Sequence, residues 1–245
     1  MDLRVGWALD GAVGTELARM GADAADPERW VLDEPARVVE LHRGMLAAGA
    51  TAIFTASFAA PRSEGGEDRV RAAVSLAREA GAAFVFAALG PGEGHARLAS
   101  VAVDMGADAV VLETFVGPEA LVRTTEEVVA AVGASVLVVA GFCPLHDAAT
   151  PERAALPGRL GRAGASAVLV GCGDGRGSVA AVAKRWAGGP LPVLARPSAG
   201  LPGALRTPAD FAALAADLKA AGVRAMGGCC GAGLDHVRAI VGVAG

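Results

Sequence analysis

A short unit recurs along this chain: a segment of helical character, then a glycine, then a short run of apolar residues. A glycine that ends a helix takes up the left-handed conformation at little steric cost, and the next residues can then enter a strand. Consecutive glycines of this kind lie 25 to 33 residues apart, which suits one helix, one strand and their connections. They are Gly49, Gly81, Gly106, Gly133, Gly164, Gly189 and Gly222.

The repeat predicts a barrel. With the first apolar segment, residues 6–9, it gives eight strands, and the segments between them have helical periodicity; 35–48, for example, places Val38, Leu41 and Met45 on one side. Eight βα units in 245 residues are typical of a (β/α)8 TIM barrel, which has about 250 residues. The alternative is a doubly wound open sheet, but the even units and the lack of a glycine-rich phosphate fingerprint favour the barrel. We see no linker, so we expect one domain over 1–245.

Composition excludes several classes of partner. The chain is 53% hydrophobic with a mean hydropathy of +0.45, enough for a sizeable core. Its net charge is −4 without a basic run, which argues against binding to nucleic acid or to an anionic membrane surface. The uncharged stretch 128–146 is long enough to span a membrane. We instead predict a helix end, a turn at Gly133 and a buried strand, because strands of parallel sheets are continuously apolar.

Two adjacent cysteines, Cys229 and Cys230, lie between glycines near the end of the chain. Neighbouring strand residues point to opposite faces, so both thiols can bind one metal ion only where the backbone turns sharply. The flanking glycines permit such a turn. The alternatives are buried thiols or a vicinal disulfide. Four cysteines, two of them adjacent, make a poor disulfide framework, so we expect a reducing cytoplasm.

In a TIM barrel the chemistry takes place at the carboxyl ends of the strands. Cys172 ends the predicted sixth strand and the cysteine pair ends the eighth, so the three thiols share one rim. Three thiolates can bind one Zn²⁺ and leave a fourth position open, as in catalytic sites. We expect Cys143 to be a small buried residue, because three ligands suffice. The strand ends carry Asp10, Thr55, Ser57, Gly90, Glu113, Cys143, Cys172, Arg196 and the pair Cys229-Cys230.

Several motifs, in this order, resemble those of the homocysteine S-methyltransferase family. They are residues 9–17, 35–50, 55–58, Gly90-Pro91, 112–114 and 227–231 followed by 235–237. The resemblance covers nearly the whole chain. It implies a zinc-dependent TIM-barrel methyltransferase that moves a methyl group to the thiol of homocysteine and forms methionine.

The resemblance also implies roles for single residues. Asp10 and Glu113 would hold the amino group of homocysteine, and backbone amides after Asp10, beginning at Gly11, would meet its carboxylate together with Thr55 or Ser57. The zinc ligands would be Cys172, Cys229 and Cys230. From the residues alone, the alternatives are that Asp10 braces the first turn, that Glu113 forms an ion pair, and that the two hydroxyls satisfy backbone groups.

The methyl donor is less constrained. Trp30, after Asp26-Pro27-Glu28-Arg29, resembles the branch of the family that uses S-methylmethionine, and a tryptophan can attract a sulfonium through a cation–π interaction. The alternative is a module that takes the methyl group from a separate methylcobalamin protein, since the segment 92–105 holds only a short helix and leaves the rim open. A third possibility is a barrel that binds zinc or thiols without catalysis. Arg196 replaces an aromatic residue usual in the family, and it would either contact an anionic donor or lie in solvent.

Overall fold

The computed structural model describes residues 6–145, 150–173, 177–200 and 205–243. Within them, seven strands form one all-parallel sheet in which the spatial order follows the chain order. The strands are β1 (Ile53–Phe54), β2 (Val85–Leu89), β3 (Ala109–Phe115), β4 (Leu137–Phe142), β5 (Ala167–Cys172), β6 (Val193–Pro197) and β7 (Ala225–Met226). These are seven of the eight predicted strands.

Helices precede and follow the strands along the described chain. The α-helices are α1 (Val13–Arg19), α2 (Trp30–Asp33), α3 (Pro35–Ala47), α4 (Gly66–Glu79), α5 (His95–Asp104), α6 (Pro118–Val132), α7 (Pro151–Arg162), α8 (Ser178–Trp186), α9 (Pro208–Ala220) and α10 (Leu234–Gly242). Short 3₁₀ helices cover Pro27–Arg29, Ala60–Arg62 and Gly133–Ser135. The architecture is therefore a curled parallel sheet surrounded by helices, as the repeated unit predicts.

The predicted first strand is reduced to an isolated parallel bridge between Ala8 and Met226. The amide of Leu9 donates to the Met226 carbonyl at 2.7 Å, and the amide of Thr51 donates to the Ala8 carbonyl at 2.8 Å. Residues 7–9 thus connect β7 to the segment before β1. Regular strand pairing between the first segment and β1 ends at Asp10. The Phe54 amide donates to the Asp10 side chain, at 2.8 Å, in place of a backbone carbonyl. A complete eight-stranded barrel is not confirmed.

The core has two layers separated by the sheet. The larger layer lies between sheet and helices, and the smaller one fills the inside of the curled sheet with side chains that include Leu9, Phe54, Phe86, Val111 and Leu169. Every residue of β2, β4 and β6 is buried, which explains the continuous apolar sequences of β2 and β4; β6 includes one charged residue, Arg196. Exposure begins only at the carboxyl ends, at Glu113 of β3 and Cys172 of β5.

The uncharged stretch that begins at residue 128 forms a helix end, a turn at Gly133 and a buried strand, as predicted. Helix α6 ends at Val132, a 3₁₀ turn follows, and β4 begins at Leu137. Among the described residues, no helix combines the length and apolarity needed to cross a membrane.

Replacing Phe86 by alanine tests the inner layer of the core. Phe86 is 1% exposed, and its ring meets that of Phe54 edge to face at a centroid distance of 5.3 Å. We expect the free energy of unfolding, measured by urea denaturation, to fall by about 3–5 kcal/mol, because the void cannot close fully. Leu32→Ala is the control: Leu32 is 40% exposed, and its loss should cost no more than about 0.5 kcal/mol. Equal losses in the two variants would contradict this account of the core.

Candidate metal and substrate site

Three cysteine side chains converge at the carboxyl ends of the strands. Cys172 ends β5, and Cys229 and Cys230 lie in the turn after β7. The Sγ atoms of Cys172 and Cys230 are 4.0 Å apart, those of Cys229 and Cys230 are 3.9 Å apart, and all three lie within 4.8 Å of one another. A tetrahedral zinc site with Zn–S bonds of about 2.3 Å places its sulfurs about 3.8 Å apart. The cluster therefore fits the predicted metal, and all three cysteines are free thiols.

The backbone turns sharply where the predicted motif requires it. Gly231, directly after the pair, has φ +78°, in the left-handed region that glycine tolerates. The amide of Cys229 donates to the Pro197 carbonyl at 2.9 Å, and the amide of Ala199 donates to the Cys230 carbonyl at 2.9 Å. The last residue of β6 and a residue shortly after it thus hold the pair, and the turn lets both thiols face Cys172.

Two non-glycine residues at the site have left-handed backbones. Cys172 has φ +58°, and Thr114, which follows Glu113, has φ +65° at a register irregularity in β3. Such conformations cost about 1–3 kcal/mol each and persist only where the surroundings impose them. They direct the thiol of Cys172 and the carboxylate of Glu113 toward the same space. Local sequence contains no signal for either conformation.

The thiols of the cluster differ in pKa. Hydrogen bonds from Cys172 and Cys229 lower the pKa of Cys230, while hydrogen bonds with Cys143 and with the pair raise the pKa of Cys172. Cys143 is buried, as expected, and its Sγ accepts a hydrogen bond from the Gly173 amide at 3.4 Å. Of Cys172 and Cys230, Cys230 is therefore the thiol that ionises more readily.

A cavity of about 200 Å³ opens beside the thiols. All three cysteines line it, and so do the carboxylates of Glu28 and Glu113 and the guanidinium-bearing side chain of Arg196. Its other walls include Phe54, Thr55, Phe58 and residues 12–15 at the start of α1. A small molecule fits a volume of this size, and it would lie beside the three sulfurs.

Asp10 and Glu113 flank Arg196. The Arg196 Nη2 atom lies 3.2 Å from Asp10 Oδ1, and Nη1 lies 3.6 Å from Glu113 Oε1. Burial raises the pKa of Asp10 to about 7, even though Arg196 favours the ionised form, and burial also raises the pKa of Glu113. Glu113 reaches the cavity wall, whereas Asp10 is fully buried behind it.

Arg196 is not in solvent, so that alternative is wrong. The residue is only 4% exposed, and its guanidinium lies 3.7 Å from the centre of the Phe54 ring. Its Nη2 donates to the carbonyls of Gly11, at 2.7 Å, and Gly228, at 2.9 Å. A single side chain thus binds the first segment of the chain to the residue that precedes the cysteine pair.

Of the other predicted substrate contacts, Thr55 lies on the cavity wall, whereas Ser57, Trp30 and Gly11 are not among the residues that line it. Thr55 lies on the cavity wall, where its hydroxyl is 2.6 Å from that of Ser57 and accepts a hydrogen bond from the Ala88 amide at 3.1 Å. Trp30 begins α2, packs against the outer core and lies 5.9 Å from the guanidinium of Arg37; it is not among the residues that line the cavity. Gly11 lies behind the wall, and a Cβ atom there would be 2.3 Å from the Ala232 carbonyl oxygen.

Glu28 was not singled out by sequence analysis, although it lines the cavity. Glu28 is 6% exposed, and its Oε2 atom accepts a hydrogen bond from the Ala59 amide at 2.8 Å. Burial raises its pKa to about 7. A lone glutamate in a polar turn is typical of a solvated surface, so its residue type did not indicate a cavity position. The only signal in the sequence was its place in the segment before Trp30.

Comparisons with known proteins agree on the architecture. A family model described as homocysteine S-methyltransferase matches residues 7–244. The apo form of the homocysteine methyltransferase MmuM from Escherichia coli has a TM-score of 0.78 at 22% identity, covering 99% of this chain and 97% of that one. Its metallated form has a TM-score of 0.76 at 21% identity, covering 98% and 96%.

A more distant solved structure is similar over part of the fold. Phosphoenolpyruvate phosphomutase from Streptomyces platensis subsp. rosaceus has a TM-score of 0.55 at 20% identity, covering 77% of this chain and 72% of that one. At such identities these solved structures show a shared fold. No curated protein matches the chain significantly.

The buried carboxyl of Glu28 predicts a pH-dependent stability. Its pKa is about 7 in the folded protein and 4.5 ordinarily, so between these values the folded protein binds more protons and loses stability as the pH rises. The full effect is on the order of 3 kcal/mol. Urea denaturation from pH 4.5 to 8 should show a shallower decline for Glu28→Gln, with the variant more stable than the wild type at pH 8. Glu126→Gln, exposed on α6, should retain the wild-type slope, and a wild-type slope in Glu28→Gln would contradict the prediction.

Proposed function

The chain belongs to the homocysteine S-methyltransferase family, and from that premise we propose that it methylates the thiol of homocysteine to form methionine in a zinc-dependent reaction. The observation that carries the proposal is the convergence of Cys172, Cys229 and Cys230 on the wall of one cavity. Their sulfur separations of 3.9 and 4.0 Å are those of a tetrahedral thiolate site.

The chemistry needs an activated sulfur. An alkyl thiol has a pKa of about 8.5 and is mostly protonated at neutral pH. When bound, a zinc ion supplies a deprotonated, electron-rich thiolate at its open position. The three cysteines together would bring three negative charges to that ion, and this excess of charge keeps the acceptor sulfur nucleophilic.

The residues of the cavity position the acceptor and exclude water. Phe54 and Phe58 supply apolar wall, and Glu113 faces the cavity close to the thiols. We propose Glu113 as the carboxylate closest to the amino group of homocysteine, with Asp10 acting behind it. Because Asp10 accepts the Phe54 amide and contacts Arg196, its role is to position these two residues.

The transfer balances with a sulfonium donor. The acceptor sulfur attacks the donor methyl carbon in line, a new S–CH₃ bond forms, and the old S–CH₃ bond breaks. Its electron pair stays with the donor sulfur, which leaves as a neutral thioether, and the thiol proton has already passed to solvent. We propose S-methylmethionine or a related sulfonium as the donor.

Support for a cationic donor comes from carboxylates more than from aromatic rings. Glu28 and Glu113 both line the cavity. Each nearby ring already has an arginine partner: Arg37 for Trp30, Arg62 for Phe58 and Arg196 for Phe54. Burial raises the pKa of both carboxyl groups, and a sulfonium beside them would favour their ionised forms, which would attract it. The proposal therefore does not need the predicted contact with Trp30. The alternative donor, a separate methylcobalamin protein, would dock on the rim that the short α5 region leaves open.

Cys229→Ala tests the metal site. We expect the variant to lose bound zinc and methyl transfer and to keep its circular dichroism spectrum, because the core forms without this thiol. Cys143→Ala is the matched control, since Cys143 is buried beside the cluster but is no ligand in the proposal; it should retain about one zinc ion per chain, measured by mass spectrometry of the metal content. Unfolding of Cys229→Ala would favour a structural, non-catalytic zinc site, and loss of zinc from Cys143→Ala would contradict the three-ligand proposal.

A panel of methyl donors tests the reaction. The zinc-loaded protein is mixed with homocysteine and, separately, with S-methylmethionine, S-adenosylmethionine, betaine or methylcobalamin, and methionine is quantified by mass spectrometry. We expect methionine with a sulfonium donor, because two carboxylates line the cavity. Turnover with methylcobalamin alone would favour the corrinoid alternative. No methionine with any donor would rule out methyl transfer to homocysteine and leave the zinc- or thiol-binding barrel.

A further inference from the structure

Only one of the two carboxylates predicted to hold the amino group of the acceptor reaches the cavity. Glu113 lies on the cavity wall, whereas Asp10 is fully buried and is not among the residues that line it. The carboxylate of Asp10 accepts the Phe54 amide at 2.8 Å and lies 3.2 Å from Arg196 Nη2. Asp10 is therefore bound to the surrounding protein, and an ammonium group in the cavity would meet Glu113 without its predicted partner.

Glu28 is a second carboxylate on the same wall. Its Oε2 atom is fixed by the Ala59 amide, which donates to it at 2.8 Å. Its Oε1 atom accepts no hydrogen bond among the described residues and keeps solvent-accessible surface. One oxygen of Glu28 is therefore held by the protein, and the other is open to a ligand.

Among the residues that the structure describes, no cation pairs with Glu28. Hydrogen bonds to Asp26, at 2.8 and 2.6 Å, raise the pKa of Arg69, and the charge of Glu28 adds to this effect. Arg69 therefore senses Glu28 but is bound to another carboxylate. Buried charged groups are normally paired, so an unpaired carboxylate on a cavity wall points to a ligand that brings the positive charge.

The charge of the whole cavity also favours a cationic group. Its wall carries Glu28, Glu113 and three thiols, and among its described residues the one cationic side chain is Arg196. The guanidinium of Arg196 donates to the carbonyls of Gly11 and Gly228, and its remaining nitrogen, Nη1, is fully buried. Arg196 thus has no open donor for a ligand, whereas Glu28 has an open acceptor.

We propose that Glu28 is an ammonium-binding residue of this site, and that the amino group of the acceptor thiol lies between Glu28 and Glu113. An ammonium group has three N–H donors, so it can bond to both carboxylates at once. A sulfonium carries a positive charge but no N–H group, so it cannot satisfy Oε1 of Glu28 in this way. The inference rests on the proposed methyl transfer to homocysteine, and it identifies the residue that selects a thiol with an amino group.

The interaction between the two carboxyl groups supports this position. Burial raises the pKa of Glu28 to about 7, and the charge of Glu113 adds to this effect. Burial also raises the pKa of Glu113. A cation between the two groups would favour both ionised forms and offset their repulsion. An ammonium group would therefore turn two carboxyl groups that ionise with difficulty into the acceptors of charge-assisted hydrogen bonds.

Glu28→Gln tests the proposal on the zinc-loaded protein, because glutamine keeps an oxygen for the Ala59 amide and removes the charge. Calorimetry without a methyl donor gives the affinities for homocysteine and for 4-mercaptobutyrate, which lacks the amino group. We expect the wild type to prefer homocysteine, and the variant to lower that preference by at least about tenfold, because a hydrogen bond between charged groups is lost. A smaller decrease, or a wild type without the preference, overturns the proposal.

The ratio of the two affinities separates recognition from structure. A purely structural role of Glu28 would weaken the binding of both thiols alike and leave the ratio unchanged. Glu126→Gln, which removes an exposed carboxylate of α6, is the matched control and should retain the wild-type ratio. If Glu28→Gln weakens the binding of S-methylmethionine and leaves the thiol ratio unchanged, Glu28 serves the donor and the proposal is wrong.

A crystal structure of the zinc-loaded wild-type protein with homocysteine is a second test, and it needs no variant. We expect the amino nitrogen of homocysteine within hydrogen-bond distance, about 3.2 Å or less, of a carboxylate oxygen of Glu28. An amino nitrogen beyond that distance from Glu28 overturns the proposal.

Failure of this inference can be distinguished from failure of the proposed reaction. If the affinity ratio depends on Glu28 but no donor yields methionine, methyl transfer is wrong and the recognition of the ammonium group stands. If homocysteine is methylated and the ratio does not depend on Glu28, methyl transfer stands and the role of Glu28 is wrong.

Discussion

The buried guanidinium of Arg196 is the interaction on which the site depends. It connects Asp10 and Gly11 with Gly228, and these two segments are remote in the chain and adjacent in space. A buried charge is tolerated only when it is paired and hydrogen-bonded, so removing any of these partners would leave an uncompensated group. Because Gly228 directly precedes Cys229, the same bonds that satisfy the arginine also place the thiols. The three-cysteine site and the contact between the first segment of the chain and the segment after β7 therefore share one set of contacts.

Close backbone packing makes this arrangement possible. A Cβ atom at Gly228 would lie 2.2 Å from the Ala232 side chain, and one at Gly227 would lie 2.6 Å from the Asp10 carbonyl. The glycines of the terminal motif are thus needed for contact between segments as well as for the turn at the cysteines. The left-handed backbones of Thr114 and Cys172 add strain that the surrounding core must offset. The rigid strands supply that support, since their other residues are almost entirely buried.

The fold alone does not decide the chemistry. Similar architecture occurs in the phosphomutase, at a TM-score of 0.55. Function depends on which side chains end the strands. In this chain those ends bring three thiols, two carboxylates and an arginine to one cavity, and this combination favours a reaction at sulfur. The arginine also makes this site different from one built only of thiols and carboxylates, because its positive charge offsets part of their negative charge.

The sequence by itself determined the alternation of helices and parallel strands, the rim position of Cys172 with Cys229 and Cys230, and the family. These follow from local periodicity, glycine positions and short motifs, which act over a few residues. It overestimated the first strand, because the Asp10 side chain interrupts regular pairing there. Only the tertiary structure decided that Asp10 is hidden, that Glu28 lines the cavity, that Trp30 lies away from it and that Arg196 is buried between two carboxylates. The physical reason is that burial and charge pairing depend on contacts between distant segments, and no local pattern records which polar side chain will face a core, a cavity or water.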